Sequence, residues 1–212
     1  MTKIFIHGSG QKADSWKETV SFMTDGNDVL CPELSGLLKG EKATYNNLFA
    51  AFDEYCGGMG DTVDLCGLSL GGILALDYTL RRPEKVRSLV CVGTPGKVPK
   101  AAFALQNIVF RLLPKSVFKN MAFDKKDTFA LGGSMKNIDF TDRARMVERP
   151  TLIVCGEKDR ANIKSAEFLA KNIKTASLEI IGGAGHAVNQ ENPEALAKVL
   201  GRFYAGMRGA DS

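Results

Sequence analysis

The chain lacks the features that mark several classes of protein. No apolar run reaches the roughly 18 residues of a membrane-spanning helix, because charges and glycines interrupt each candidate. The N-terminus has no signal-peptide pattern. The 5 cysteines form no Cys-x-x-Cys pair and only 2 histidines are present, so no pattern of metal ligands exists. We therefore expect a cytoplasmic protein with no membrane partner and no metal ion.

A strong excess of one charge sign is also missing. The 28 Lys and Arg residues face 24 Asp and Glu, which gives a formal net charge of +4. The basic residues form no recognition motif, so we expect no nucleic-acid partner. With 44% hydrophobic and 25% charged residues, the composition is that of a globular protein. A chain of this length buries about 70% of its unfolded surface, enough for a substantial core.

Short β-rich runs alternate with longer helical ones. Runs rich in Val, Ile, Leu and Cys predict strands at residues 3–6, 29–31, 62–66, 88–92, 151–155 and 177–181. Most lack polar alternation, which is typical of strands buried on both faces of a parallel sheet. Apolar spacing predicts helices at residues 44–55, 70–81, 163–172 and 193–207, the last with Asn192 as N-cap and Pro193 at its first position. This alternation predicts an α/β fold with a doubly wound, mostly parallel sheet of about six strands and helices on both faces.

The alternation of strands and helices is interrupted at residues 95–148, where no strand is predicted. Helical segments are expected around 100–113, 115–121 and 125–136. Between Lys97 and Arg149 the sequence has 11 Lys and Arg against 5 Asp and Glu, a local excess of +6. An insertion of this length between strands is often a functional lid. An ordinary helical elaboration that packs its own phenylalanines stays open as an alternative.

The sequence Gly67-Leu68-Ser69-Leu70-Gly71 lies between a predicted strand and a predicted helix. A G-x-S-x-G motif in that context predicts a nucleophile elbow, a turn so tight that side chains at the glycine positions would collide. The turn raises the serine hydroxyl at the C-terminal edge of the sheet. The N-terminus of the following helix favours negative charge at the same place. We therefore predict that Ser69 is a catalytic nucleophile.

A serine nucleophile requires a base, and a base requires a carboxylate that orients it. Both histidines follow predicted strands, but His186 lies on a glycine-rich loop whereas His7 lies in a tight turn, so we favour His186 as the base. Asp159 and Glu157 both follow the strand at 151–155, and we favour Asp159 for its longer reach along the loop. The order Ser69, Asp159, His186 is the order of the α/β-hydrolases.

The tetrahedral intermediate of acyl transfer also needs an oxyanion hole. We predict that the backbone N–H of Leu70, directly after the nucleophile, supplies one donor. The second is predicted on the loop His7-Gly8-Ser9-Gly10, where glycines let the backbone approach a substrate. We assign it to Ser9, with Gly10 as the alternative.

The chain resembles the α/β-hydrolase superfamily, in the branch of small cap-bearing serine esterases. The likeness covers nearly the whole chain. It depends on the following segments: His7 to Gly10 with Trp16, Gly67 to Gly72, Arg82 to Val86, Pro150 to Asp159, Gly185-His186, and Glu191 to Glu194.

The resemblance implies a hydrolase core of residues 1–94 and 149–212, with a small helical cap of residues 95–148 inserted between strands. It implies Ser69 as nucleophile, Asp159 as acid and His186 as base, with no cofactor. We expect the cap phenylalanines to line the substrate pocket, namely Phe103, Phe110 and Phe118.

Two departures from the family have structural consequences. Family members usually carry two strands before the oxyanion loop, whereas this chain starts at the third. The strand at 29–31 is then expected at an unprotected edge, and we hypothesise a homodimer through it. The family's Asp-x-x-Gly-x-Gly loop is replaced by Glu33-Leu34-Ser35-Gly36-Leu37-Leu38.

Serine at the elbow indicates acyl transfer, since epoxide-opening and halide-removing relatives place aspartate there. The favoured reaction is hydrolysis of a small or medium carboxylic ester through an acyl-enzyme. A thioesterase or carbon–carbon bond hydrolase for an anionic substrate would use the same parts, and the basic insertion motivates that alternative. A catalytically silent, hydrolase-like binding protein is the non-enzymatic alternative.

Overall fold

The computed structural model describes residues 2–24, 28–98, 118 and 120–208. Within them, six strands form one parallel sheet in the order β2-β1-β3-β4-β5-β6. The strands are β1 (Lys3–Ile6), β2 (Val29–Leu30), β3 (Val63–Leu68), β4 (Val86–Val92), β5 (Thr151–Gly156) and β6 (Ala176–Ile181). The predicted fold class is therefore confirmed.

In the described residues, helices lie between successive strands and after β6. They are α1 (Lys17–Ser21), α2 (Leu34–Leu37), α3 (Tyr45–Gly57), α4 (Leu70–Arg81), α5 (Lys125–Met135), α6 (Ile163–Asn172), α7 (Val188–Glu191) and α8 (Pro193–Arg208). The sequence predicted the longer helices, whereas the short helices α1, α2 and α7 were not predicted. Side-chain caps determine several starts. The Thr44 side chain accepts a hydrogen bond from Asn47 N at 3.3 Å, and that of Asn192 accepts one from Ala195 N at 3.3 Å.

Each face of the sheet carries its own apolar core, because alternate residues of a strand point to opposite faces. Ile4, Leu65 and Ile153 face a cluster that includes side chains of α3, α4 and α6. Phe5, Cys66 and Val154 face a second cluster with Trp16 and side chains of α8. Burial on both faces explains why the central strands are mostly apolar. The polar residues near the starts of β3 and β4 bind one another, since Asp64 accepts hydrogen bonds from Arg87 and Ser88.

The described part of the 95–148 insertion packs on the first of these cores. Phe123 and Phe140 are buried in the same apolar cluster as α3 and α4. Arg143 Nη1 lies 3.4 Å from Oδ1 of the buried Asp77 in α4. The helix predicted at 125–136 is confirmed as α5, whereas the one at 100–113 and most of the one at 115–121 lie outside the described residues. The division into core and cap stays a prediction.

The strand at 29–31 lies at the edge of the sheet, as the sequence predicted. It is shorter than expected, because only Val29 and Leu30 pair with β1. The Leu30 side chain is largely exposed there. The homodimer through this edge stays a prediction.

Candidate active site

Ser69 occupies the turn between β3 and α4 in a backbone conformation that L-residues rarely adopt, with φ 55° and ψ −111°. Such a conformation costs of order 1–3 kcal/mol and persists only where the surroundings impose it. Its N–H donates to Val92 O at 2.9 Å, and its carbonyl accepts from Ile73 N at 2.9 Å. The strand and the helix thus fix the serine from both sides.

The glycines of the elbow are required by close backbone approach. A Cβ on Gly67 would lie 2.2 Å from the carbonyl of Gly71, and one on Gly71 would lie 2.2 Å from Ile6 O. No side chain fits at either position. Gly67 and Leu68 were expected in the turn, but they belong to β3 because they pair with Cys91 and Val92 of β4.

Asp159 and His186 form a close pair beyond the ends of β5 and β6. His186 Nδ1 lies 2.7 Å from Asp159 Oδ2. The carboxylate is buried, whereas the imidazole is 46% exposed. With Nδ1–H donating to the carboxylate, Nε2 is the nitrogen that can accept a proton. Glu157, the alternative acid, instead accepts a hydrogen bond from Gly183 N at 2.8 Å.

Burial of Asp159 opposes ionisation, but hydrogen bonds from His186 and Asn162 outweigh it. The pKa of the Asp159 carboxyl is therefore lowered from its ordinary value. A carboxylate that stays ionised can stabilise an imidazolium beside it.

Gly93 connects this pair to the elbow. A Cβ on Gly93 would lie 3.1 Å from His186 Nδ1 and 3.3 Å from Asp159 Oδ2. The residue before it, Val92, accepts the hydrogen bond from Ser69 N. Gly93 has a φ of +53°, so a side chain there would be strained as well as crowded. The backbone at the end of β4 thus has the serine on one side and the Asp159–His186 pair on the other.

The loop after β1 runs beside the serine. A Cβ on Gly8 would lie 3.7 Å from Ser69 Cβ. Gly8 O accepts from Gln11 N at 3.1 Å, which closes a turn with Ser9 half-buried and Gly10 exposed at its tip. Leu70 is buried at the first position of α4. The two predicted oxyanion donors therefore belong to segments that adjoin Ser69.

His7 has a different setting from His186. Its ring is fully buried, with Nδ1 2.8 Å from Gly8 O and Nε2 3.1 Å from both Leu34 N and Glu33 Oε1. Both ring nitrogens thus contact protein groups. His7 joins the loop after β1 to the start of α2, and this contact favours His186 as the base.

A polar network that the sequence did not suggest includes Gln11, at the end of the loop after β1 (residues 7–11), which is called the oxyanion loop because one oxyanion donor is predicted on it. Asn189 in α7 is fully buried, and its Oδ1 accepts from Gln11 Nε2 at 2.9 Å across 178 residues of sequence. Its Nδ2 donates to Ser15 O at 3.1 Å, and Thr19 Oγ1 donates to its carbonyl at 3.0 Å. The network joins the oxyanion loop to the helix that follows His186.

In the sequence, Glu191 is only part of the family likeness. In the structure, its carboxylate binds the loop that carries His186. Its Oε2 accepts from Gly185 N at 2.7 Å, and its Oε1 accepts from Ala187 N at 3.0 Å. These two N–H groups flank His186. One carboxylate therefore fixes the backbone on both sides of the imidazole.

Of the three predicted pocket phenylalanines, Phe118 belongs to the described residues. Phe118 is buried, and Lys125 Nζ lies 5.8 Å from its ring centroid. Nearby, Ala122 N donates to Gln11 O at 3.0 Å, so this part of the insertion contacts the oxyanion loop. Phe103 and Phe110 lie outside the described residues.

Among residues 2–24, 28–98, 118 and 120–208, no three His, Cys, Asp or Glu side chains group closely enough to hold a metal ion. No helix of this part of the chain is both long and apolar enough to cross a membrane.

The chain is similar to known proteins in sequence and in structure. The model of the alpha/beta hydrolase family matches residues 4–199. The chain belongs to the alpha/beta hydrolase family. The structure of a thermophilic esterase from Thermogutta terrifontis superposes on this α/β hydrolase with a TM-score of 0.80 and 20% identity, over 97% of this chain and 90% of that one. At that identity the likeness supports the fold alone.

Two curated relatives are similar over most of their length. A pimeloyl-[acyl-carrier protein] methyl ester esterase from Aromatoleum aromaticum is 26% identical, over 93% of this α/β hydrolase and 95% of the relative. A 2-hydroxymuconate semialdehyde hydrolase from Pseudomonas sp. (strain CF600) is 25% identical, over 95% and 86%. One relative thus acts on an ester and the other is a semialdehyde hydrolase.

Proposed function

We propose that this α/β hydrolase cleaves the carboxylic ester of a small or medium acyl substrate with Ser69, His186 and Asp159. The observation that carries the proposal is the 2.7 Å contact between His186 Nδ1 and Asp159 Oδ2, against the same stretch of β4 that binds Ser69 N. The esterase from Aromatoleum aromaticum supports an ester as the substrate.

The reaction follows from the chemistry of these groups. Ser69 Oγ attacks the carbonyl carbon while its proton passes to His186 Nε2, and Asp159 stabilises the resulting imidazolium. The N–H groups of Ser9 and Leu70 bind the oxyanion. His186 then gives its proton to the departing alcohol as the C–O bond breaks. Water, deprotonated by the same imidazole, hydrolyses the acyl-enzyme and restores Ser69.

The substrate side of the proposal includes the insertion. We propose residues 95–148 as a cap, with Phe103, Phe110 and Phe118 on its substrate side. The contact between Ala122 N and Gln11 O supports the position of the cap beside the oxyanion loop. The reaction needs no cofactor, and the cytoplasmic location stays a prediction.

Fluorophosphonate labelling tests the triad without any guess about the substrate. We expect the native protein to gain one phosphonyl group, mapped by mass spectrometry to Ser69, because such probes react only with an activated serine. The Ser69→Ala and His186→Ala variants should not be labelled, whereas Ser9→Ala should, since Ser9 contributes its backbone. A folded protein with no label would favour the catalytically silent binding protein.

A carbon–carbon bond hydrolase is the second candidate, and the relative from Pseudomonas favours it. The same serine and histidine could cleave a carbon–carbon bond beside a carbonyl. The two candidates are separated by kcat/KM values for esters, thioesters and ketones of matched chain length, where the ketones carry the carbon–carbon bond to be cleaved beside the carbonyl. A preference for an anionic ketone whose kcat/KM falls steeply with salt would replace the ester assignment.

A further inference from the structure

Asn162 precedes α6 at its N-cap position, where asparagine is among the best helix-capping residues. Its side chain nevertheless makes no capping hydrogen bond to the helix. The helix start is held by backbone contacts, including Asn162 N to Asp159 O at 3.1 Å. The amide is therefore used for something other than the stability of the helix end.

The amide is directed at the Asp159–His186 pair. Asn162 Nδ2 lies 3.0 Å from Asp159 Oδ1 and 3.0 Å from Oδ2. An ionised carboxylate only accepts hydrogen bonds, so the group facing it must be the NH₂ of the amide. The same nitrogen lies 3.2 Å from His186 Nδ1. Two N–H donors, one from the imidazole and one from the amide, thus share Asp159 Oδ2.

The hydrogen bonds that Asp159 accepts from the Asn162 amide have an electrostatic consequence for His186. A carboxylate that already accepts hydrogen bonds from a neutral amide has less negative charge to offer to an imidazolium. The positive end of the amide dipole also lies beside Nδ1, where the imidazolium charge develops. Both effects favour the neutral imidazole, the form that can take a proton from serine.

We propose that Asn162 is a positioning residue that fixes the Asp159 carboxylate and sets the pH at which His186 becomes a base. The proposal deepens the proposed function and rests on it for the role of His186. It does not concern the substrate, since Asn162 acts through Asp159.

Charged side chains also lie on the elements around the pair. They are Glu157, Lys158 and Arg160 after β5, Lys164 and Glu167 in the first turns of α6, where both are exposed, and Glu191 in α7. Glu157 and Glu191 bind backbone N–H groups of the His186 loop, and Lys158 and Arg160 are exposed. Burial raises the pKa of Cys155 to about 11, so this thiol stays neutral. Gly93 and Thr94, from the end of β4, are uncharged.

The test is the pH profile of kcat/KM in Asn162→Leu. This substitution removes both N–H groups of the Asn162 amide and keeps the size of the side chain nearly constant. We expect the acid limb to move up by about one pH unit. The rate at pH 6 should then fall roughly ten-fold while the alkaline plateau changes much less. Asn172→Leu is the matched control, because it removes an amide that donates to Phe168 O at the other end of α6. Its acid limb should coincide with that of the native enzyme.

A second variant covers the case in which leucine disturbs the fold. Asn162→Ser keeps a good N-cap residue, but its hydroxyl is shorter and has one proton, so it cannot donate to both oxygens. Its acid limb should lie between those of the native enzyme and Asn162→Leu. The proposal is wrong, and Asn162 has a structural role only, in either of two cases. One is that Asn162→Ser keeps the native pH profile of kcat/KM. The other is that both variants lower kcat/KM by the same factor at every pH.

An NMR titration makes the result independent of catalysis. The chain has 2 histidines, so the Hε1 signal of His186 needs to be separated only from that of His7. The midpoint of His186 should rise by about one pH unit in Asn162→Leu. An unchanged midpoint would overturn the proposal even in an active enzyme. Missing Ser69 labelling with a shifted midpoint would instead overturn the proposed function alone.

Discussion

The two halves of the candidate site are fixed by different means. Ser69 is held by backbone geometry, through a strained turn, the start of α4 and glycines that admit no side chain. His186 is held by side chains, through Asp159 at 2.7 Å and Glu191, which binds the N–H groups on both sides of it. The nucleophile therefore depends on steric fit in the core, and the base depends on hydrogen bonds between loops.

Gly71→Ala tests the steric support of Ser69 and should have the largest effect. The new Cβ would lie 2.2 Å from Ile6 O, so the backbone of β1 or α4 must move. We expect a loss of about 3 kcal/mol or more in the free energy of unfolding, measured by urea denaturation.

Gly133→Ala is the matched control for this substitution. Gly133 lies inside α5, and a Cβ there would have no neighbour within 4 Å among the described residues. Alanine should raise the stability by about 0.5–1 kcal/mol, since it restricts the unfolded chain and favours the helix. Equal stabilities of the two variants would contradict the steric account of the elbow.

The same contrast explains what could be predicted from the sequence. Strand positions and the Ser69 elbow follow from local pattern, because burial on both faces selects apolar runs and a tight turn selects glycine at fixed spacing. Errors in the strands were confined to their ends, as at β3, which continues through Leu68 because its pairing with β4 does. The short helices α1, α2 and α7 were not predicted, because four or five residues are too few to show helical periodicity.

The support of the base could not be predicted in this way. Gln11 and Asn189 are 178 residues apart in the sequence. Asn162 stands where asparagine ordinarily caps a helix, so its type predicts the wrong partner. Polar residues of these kinds are common on surfaces, and only the fold shows which of them face inward.

Asn189→Leu should have an intermediate effect, on both stability and rate. It removes one acceptor of Gln11 Nε2, which also donates to Gln190 Oε1, and a donor to Ser15 O, so polar groups around the buried Asn189 lose hydrogen bonds. We expect a stability loss of about 1–3 kcal/mol. Because Gln11 closes the turn that carries Ser9, kcat/KM should fall as well, measured on the best ester of the panel.

The control for Asn189 is Thr19→Val, which removes a hydrogen bond to the backbone carbonyl of the same residue. It should lower the stability by about 1 kcal/mol and leave kcat/KM unchanged. If both variants lower the rate equally, the network acts through general stability and does not orient the oxyanion loop.

Glu191→Ala should have the smallest effect on stability, and it tests the hydrogen-bonded support of His186. Its partners are exposed backbone N–H groups, which water can replace, so a loss of about 1 kcal/mol or less is expected. The loop that carries His186 would nevertheless lose the contact that fixes both sides of the imidazole. We expect kcat to fall by roughly ten-fold while KM stays constant, because the orientation of the base matters mainly in the transition state.

Glu194→Ala is the matched control. It removes a nearby exposed carboxylate from the first turn of α8 and should keep native kcat. A native kcat in Glu191→Ala would mean that Asp159 alone orients the imidazole, and the base would then be fixed by one hydrogen bond rather than by a set of them.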